Sequence, residues 1–237
     1  MKALILAGGK GTRLRPYTTV IPKPLMPVGD FPILEIILRQ LKRAGVTEVI
    51  LAVGYMSQLF QAFFEDGKRL GLGISYSLEE KPLGTAGPIG LVLDQLQGDF
   101  MIMNGDLLTT LDYGALFRYH QAQRAAATIA TYTREVKIDF GVVETNEQQE
   151  LAAYREKPLY TFDVSMGVNV LNAEILREVL VPGQYLDIPD LMLKLKGLGK
   201  RVSCYRESCY WLDIGRVDDY QIASDIFEAR RAEFLPE

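Results

Sequence analysis

Short apolar runs alternate with helix-length amphipathic stretches through the first hundred residues, a pattern that predicts parallel strands joined by helices. Ala3 to Ala7 (ALILA) has no polar position, as expected of a central strand covered on both faces. Glu48 to Val53 (EVILAV), Ile74 to Ser77 and Asp99 to Met103 (DFMIM) are read as further strands. Between them, Ile33, Ile36, Ile37, Leu41 and Ala44 share one face of a helix that stops at Gly45, and a second helix is expected from Ser57 to Phe64. A third is expected from Thr85, whose hydroxyl can cap it, with Pro88 tolerated in its first turn. Helical patterns also start near Asp112 and span about Val217 to Arg230. From Ala125 the alternation loosens into hairpin-like strands near 126–133, 140–144, 151–155 and 164–171. The expected fold class is α/β, a three-layer α/β/α sandwich around a mostly parallel mixed sheet, with a small β-rich lobe at roughly 125–172. No repeat, low-complexity tract or linker breaks residues 1–237, so one domain containing that lobe is expected.

Composition removes several function classes. Of 237 residues, 48% are hydrophobic, enough for a chain of this size to bury about 70% of its unfolded surface without staples. A net charge of −4 argues against nucleic acid as a partner, because a phosphate-backbone binder carries a basic surplus. Cys204 and Cys209 read as reduced thiols rather than a disulfide framework. Met1 leads straight into a strand, and no apolar run approaches a membrane span. The expectation is a cytoplasmic protein with no membrane contact.

The chemistry concentrates in Gly9 to Val28, GKGTRLRPYTTVIPKPLMPV, directly after the first strand. Gly8, Gly9 and Gly11 permit close backbone approach, and successive amides in such a turn make an anion-binding concavity. Two familiar glycine motifs fail on spacing. A dinucleotide fingerprint needs glycine where Leu14 stands, and a Walker loop needs Gly-Lys-Ser/Thr where Lys10 instead precedes Gly11. Prolines at 16, 22, 24 and 27 are expected to keep the segment extended. An ordinary strand-to-helix turn would explain the glycines, but it has no need of Arg13 and Lys23 as well.

The stretch matches GxGTRxxPxTxxxPKPxxPV at every specified position, and so resembles the sugar-phosphate nucleotidyltransferases, or nucleotide-sugar pyrophosphorylases. The PKP version followed by PV looks most like the branch containing mannose-1-phosphate and heptose-1-phosphate guanylyltransferases. The resemblance runs to the end of the chain and implies a Rossmann-like fold whose β-rich lobe binds sugar. It covers the transferase core; longer family members add a carboxyl-terminal β-helix or regulatory domain. Asp106, in MIMNGDLL, is by its local sequence a turn residue, yet at the carboxyl edge of the sheet it could hold Mg²⁺ carried by a nucleotide. Asp213, in YWLDIGRVDDY, reads locally as a residue capping the helix that follows. The resemblance to the family's WxDxG segment makes it a second magnesium ligand beside Asp106. Adjacent Glu156 and Lys157, in YREKP, would point to opposite faces of a strand unless it ends there, and Pro158 supplies that ending. The resemblance implies that Glu156 accepts from sugar hydroxyls, Lys157 contacts the sugar phosphate, and Gly141 lets the sugar ring approach the backbone. Base recognition is assigned to Gly84 and Thr85 with the backbone of Leu6, Ala7 and Gly8. PLGTAG resembles the guanylyltransferase branch, and Ser165-Met166-Gly167 departs from the mannose enzymes' usual triplet.

The expected reaction is in-line attack of a sugar 1-phosphate oxygen on the α-phosphorus of an NTP, GTP favoured, releasing pyrophosphate. Unit charges about 4 Å apart repel by about 4 kcal/mol at an effective dielectric near 20, so neutralisation is central. Arg13 with the loop amides from Gly9 to Thr12 would hold the triphosphate, and Lys23 and Lys157 would gather the reacting phosphates. Magnesium on Asp106 and Asp213 would orient them. Partners are thus NTP and sugar 1-phosphate, with a homo-oligomer compatible. A uridylyl- or thymidylyltransferase, a non-catalytic nucleotide-sugar sensor, and a metal-dependent glycosyltransferase are the alternatives. The last would more naturally show DxD where this chain has NGD.

Overall fold

The computed structural model describes residues 1–236. In chain order the first half contains β1 (Lys2–Leu6), β2 (Pro27–Val28), β3 (Phe31–Pro32), α1 (Ile33–Arg43), β4 (Glu48–Val53), α2 (Ser57–Phe64), β5 (Gly73–Leu78), α3 (Gly87–Val92), β6 (Asp99–Asn104), β7 (Leu107–Thr109) and α4 (Tyr113–Gln123). The second half contains β8 (Ala127–Lys137), β9 (Val142–Thr145), β10 (Leu151–Arg155), β11 (Leu159–Asn172), α5 (Ala173–Arg177), α6 (Ile188–Gly197), β12 (Val202–Arg206), β13 (Trp211–Asp213), α7 (Val217–Ala229) and α8 (Arg231–Phe234). Seven strands form the central sheet in the order β12-β8-β11-β6-β1-β4-β5, with β11 antiparallel to both neighbours and the other pairings parallel.

The apolar runs have their cause in the two covered faces. Alternate residues of the central strands enter opposite cores: Ala3, Ile5, Val49, Leu51, Met101 and Met103 pack with α1, α2 and α7. Leu4, Ile50, Ala52, Phe100 and Ile102 pack with α3, α5 and α6. The fold is therefore the expected α/β three-layer arrangement. The chain leaves β1, adds β4 and β5 on one side, then crosses to place β6 on the other. That reversal opens a crevice at the carboxyl ends of β1 and β6, where ligands settle in open α/β sheets.

Several expected boundaries move. β8 and β11 are longer than 126–133 and 164–171: Leu159–Ser165 pairs with β8 alone, and only Val168–Asn172 also pairs with β6. Both faces of this outer ribbon are largely exposed, so no apolar alternation marks it. The proline-rich segment is a series of single 3₁₀ turns at Thr12–Leu14, Tyr17–Thr19 and Lys23–Leu25 rather than extended chain. Proline's fixed φ suits the start of such turns as well as it suits extended backbone. The third helix begins at Gly87, and Thr85 does not cap it. α5, α6 and β12 were not anticipated.

Candidate active site

The carboxyl-end crevice encloses about 840 Å³ and is lined by Leu6 to Arg13, Lys23, Pro24, Gly54, Tyr55, Glu79 to Thr85, Asn104, Asp106 and Tyr185. It thus gathers Arg13, Lys23, Asp106 and all of the residues assigned to the nucleotide: Leu6, Ala7, Gly8, Gly9, Gly11, Thr12, Gly84 and Thr85. Thr18 Oγ1 donates to Gly11 O at 2.8 Å and fixes the turn after β1.

At the inner end, Lys23 is buried and its Nζ lies 2.5 Å from Asp106 Oδ2 and 3.7 Å from Asp213 Oδ1. Lys23 is held by its 3₁₀ turn, in which Leu25 N–H donates to Pro22 O and Met26 N–H to Lys23 O. The carboxylates are brought together by backbone pairing rather than by local sequence. β13 runs antiparallel to β7 with Asp213 opposite Leu107, and Ile214 N–H donates to Asp106 O at 3.2 Å. Burial, then the neighbouring Asp106 carboxylate, push the Asp213 carboxyl above its ordinary value, against the pull of Lys23 and Arg13. Asp106 Oδ1 is buried without a hydrogen-bond partner. One lysine shared by two carboxylates, with an unpartnered oxygen on Asp106 and solvent access at Asp213, is a donor set suited to a hard divalent cation that keeps water or phosphate ligands. Arg13 is exposed, and its Nη1 approaches the Gly215 backbone beyond β13. Among the described residues it makes no ion pair, so its charge faces solvent in the crevice.

At the outer end, Gly84 has φ +77°, and a Cβ there would stand 2.5 Å from Leu186 O. It is glycine because the loop docks on the 186–188 segment. Thr85 N–H and Oγ1–H both donate to Asp187 Oδ1, at 2.9 and 3.1 Å, and Thr85 Oγ1 accepts from Ile188 N–H at 2.8 Å. The threonine therefore serves the first turn of α6 instead of its own helix. Glu79, unassigned from sequence, is half-buried beside Gly8 and accepts from Leu83 N–H at 3.3 Å. Burial raises its carboxyl above the usual range. Lys10, Tyr55, Asn104 and Tyr185 are further lining residues that sequence reasoning left out; the first three had only their proximity to the glycine loop or to a strand end as a signal, and Tyr185 had none.

The residues assigned to the sugar lie apart. Gly141, Glu156 and Lys157 do not line the crevice. Gly141 is covered by the Tyr154 ring. β10 ends at Arg155, Lys157 adopts φ +42°, and its Nζ lies 3.8 Å from Glu156 Oε1 with both side chains mostly exposed. The link between ribbon and crevice is a bulge in β11 between Ser165 and Asn169. Gly167, at φ +74°, packs against the Asn104 side chain, and Trp211 Nε1–H donates to Met166 O at 3.0 Å. His120 lies within α4, buried, with Nδ1 2.8 Å from Thr128 Oγ1 and Nε2 3.3 Å from Asp99 Oδ1, away from the crevice lining. Both cysteines are free thiols, and no helix among the described residues is long and apolar enough to cross a membrane.

Fold and site together define an α/β protein with a crevice at its switch point where a glycine loop meets Lys10, Arg13 and Lys23. The chain belongs to the nucleotidyl transferase family, whose model matches residues 2–230. It is 35% identical over 229 residues to a mannose-1-phosphate guanylyltransferase of Mycobacterium tuberculosis, covering 92% of this chain and 62% of the relative. It is 32% identical over 239 residues to a UTP–glucose-1-phosphate uridylyltransferase of Synechocystis, covering 93% and 61%. The chain thus spans about three-fifths of the length of these relatives. A solved structure from Bacillus anthracis, provisionally named a glucose-1-phosphate thymidylyltransferase and in complex with sucrose, superposes with a TM-score of 0.77 at 25% identity, covering 95% of this chain and 94% of that one.

Proposed function

We propose that the protein condenses an NTP with a sugar 1-phosphate to give a nucleotide sugar and pyrophosphate. The observation that carries this reading is the Lys23–Asp106–Asp213 cluster, whose Lys23 and Asp106 line the same crevice as the glycine-loop backbone, Lys10 and Arg13. Loop amides from Gly8 to Thr12, with Lys10 and Arg13, would cradle the triphosphate and meet the charge that grows on the departing pyrophosphate. Lys23, anchored by Asp106, would sit at the α-phosphate and lower the repulsion felt by the incoming sugar phosphate. An oxygen of the sugar phosphate forms the new bond to the α-phosphorus as the bridge to the β-phosphate breaks. The attacking group is already ionised, so no side chain has to remove a proton. A divalent cation, magnesium by its hard-oxygen preference, would be held by Asp106 and Asp213, and when bound it polarises and orients the phosphates.

GTP is the favoured nucleotide. A half-buried carboxylate at the outer end, Glu79, is an acceptor matched to the adjacent ring and amino N–H donors of guanine, whereas uracil and thymine offer one ring N–H between two carbonyls. Mannose- or heptose-type sugars fit the sequence resemblance; the likeness to the uridylyltransferase supports UTP with a glucose-type sugar as the second reading. On the ribbon, Lys157 would contact the phosphate of the sugar 1-phosphate, Glu156 would accept from its sugar hydroxyls, and Gly141 would let its ring approach the backbone. The test is magnesium-dependent pyrophosphate release across a panel of NTPs and sugar 1-phosphates. GTP with mannose 1-phosphate or a heptose 1-phosphate is expected to be fastest. UTP with glucose 1-phosphate leading would select the second reading, and no release from any pair would overturn the assignment.

A further inference from the structure

Tyr185 is 64% exposed, yet it lines the crevice together with Pro82 to Thr85. Large exposed rings are normally loose; this one is tethered. Its hydroxyl donates to Asp187 Oδ2 at 2.8 Å, while the other oxygen of Asp187 accepts from Thr85 N–H and Oγ1–H. The two loops are also laced through the backbone: Leu186 N–H donates to Leu83 O at 3.0 Å, and Ala86 and Gly87 N–H donate to Leu186 O at 2.8 and 3.0 Å. The Tyr185 hydroxyl, then the Thr85 donors, hold the Asp187 carboxyl below its ordinary value, so it stays ionised as the acceptor at the centre of the clamp. Tyr55 also lines the crevice, at 38% exposure, but its side chain has no hydrogen bond among the described residues.

We infer that Tyr185 is the aromatic wall on which the nucleobase stacks, and that Asp187 is the positioning residue that holds the ring against the Pro82–Thr85 loop. This rests on reading the crevice as an NTP site. The ring's rotamer is restricted before ligand arrives, so less freedom is lost on binding. Every base has a π-face, so stacking supplies affinity without choosing among bases. Tyr185 and Glu79 therefore divide the work: the ring sets how tightly any NTP is held, and the carboxylate sets which base is preferred.

Calorimetric titration of GTP and UTP with magnesium into the wild-type protein and its variants tests the division. Tyr185→Ala is expected to weaken both nucleotides by about tenfold, leaving their ratio unchanged. Tyr185→Phe, which keeps the ring but frees it from Asp187, is expected to restore only part of that loss, leaving both nucleotides weakened as in Asp187→Ala. Asp187→Ala should weaken both nucleotides, and Asp187→Asn, which preserves an acceptor for Thr85 and a partner for the phenol, should recover binding. Wild-type affinity in Tyr185→Ala, or a loss confined to Tyr55→Ala, would overturn the inference while leaving the nucleotide site standing. Failure of the wild-type protein to bind any NTP would overturn the nucleotide reading and this inference with it.

Discussion

The glycine-loop rim and the β-rich ribbon are built on opposite principles. On the rim, the groups assigned to phosphate are already in place: Lys23 is buried against Asp106, Asp213 is delivered by the β7–β13 ladder, and the turn is pinned by Thr18. On the ribbon, Glu156 and Lys157 are mostly exposed, meet only each other among the described residues, and stand outside the crevice lining. On the proposed function, the groups assigned to phosphate would be preorganised, whereas those assigned to the sugar would gain their partners from the ligand. An active site gains most from rigidity where charge develops. A mobile sugar contact adds mainly affinity.

The largest effect should come from breaking the rigid side. Lys23→Ala is expected to lower kcat by about 10²- to 10³-fold, on the scale of removing one preorganised charge-stabilising donor, measured by pyrophosphate release. The structure adds a cost, since the buried lysine is the counter-charge of two carboxylates. Thermal melting should show Lys23→Ala less stable than Asp106→Asn, which removes a charge of the crowded sign. On the ribbon, Lys157→Ala should raise KM for the sugar 1-phosphate about tenfold, the scale of one hydrogen bond to a charged group, with KM for the NTP little changed. A fall in kcat as large as that of Lys23→Ala would erase the contrast between the two regions. Glu79→Gln should reduce the kcat/KM preference for GTP over UTP by about tenfold, the scale of one base-edge contact.

The smallest effect concerns the charge crowding at Asp213. Burial and Asp106 raise the Asp213 carboxyl in the folded state, so its favourable contribution is present below the unfolded value of 3.8 and is lost as pH rises through the raised folded value. At neutral pH without divalent cation, the ionised carboxylate therefore opposes folding. Asp213→Asn should raise the melting temperature at pH 7, with a smaller gain as pH is lowered toward 4, in scanning calorimetry. Equal gains at both pH values would show that charge is not the cause.

The glycine loop with Arg13 and Lys23 was legible in the sequence because these residues fall in one contiguous segment after an unmistakable buried strand. The same holds for the strands whose two faces are both covered, from Ala3 to Met103. Asp213 could be placed beside Asp106 only by family resemblance, since a three-residue ladder between β7 and β13 has no local signature. Thr85 was misread for a related reason: a threonine before a helix looks like its cap, and the competing partner, Asp187, is 102 residues away. The ribbon's outer strands were shortened because exposed residues on both faces leave no periodicity to detect. Glu79, Tyr185 and the α6 entry carried no pattern that separates them from surface loop.

The most direct test compares pyrophosphate release with both substrates present against release with NTP alone, in the wild-type protein and in Lys23→Ala. The account predicts release that requires the sugar 1-phosphate, appears in step with nucleotide sugar, and collapses in the variant. Release from NTP alone at the same rate, or undiminished release in Lys23→Ala, would contradict it.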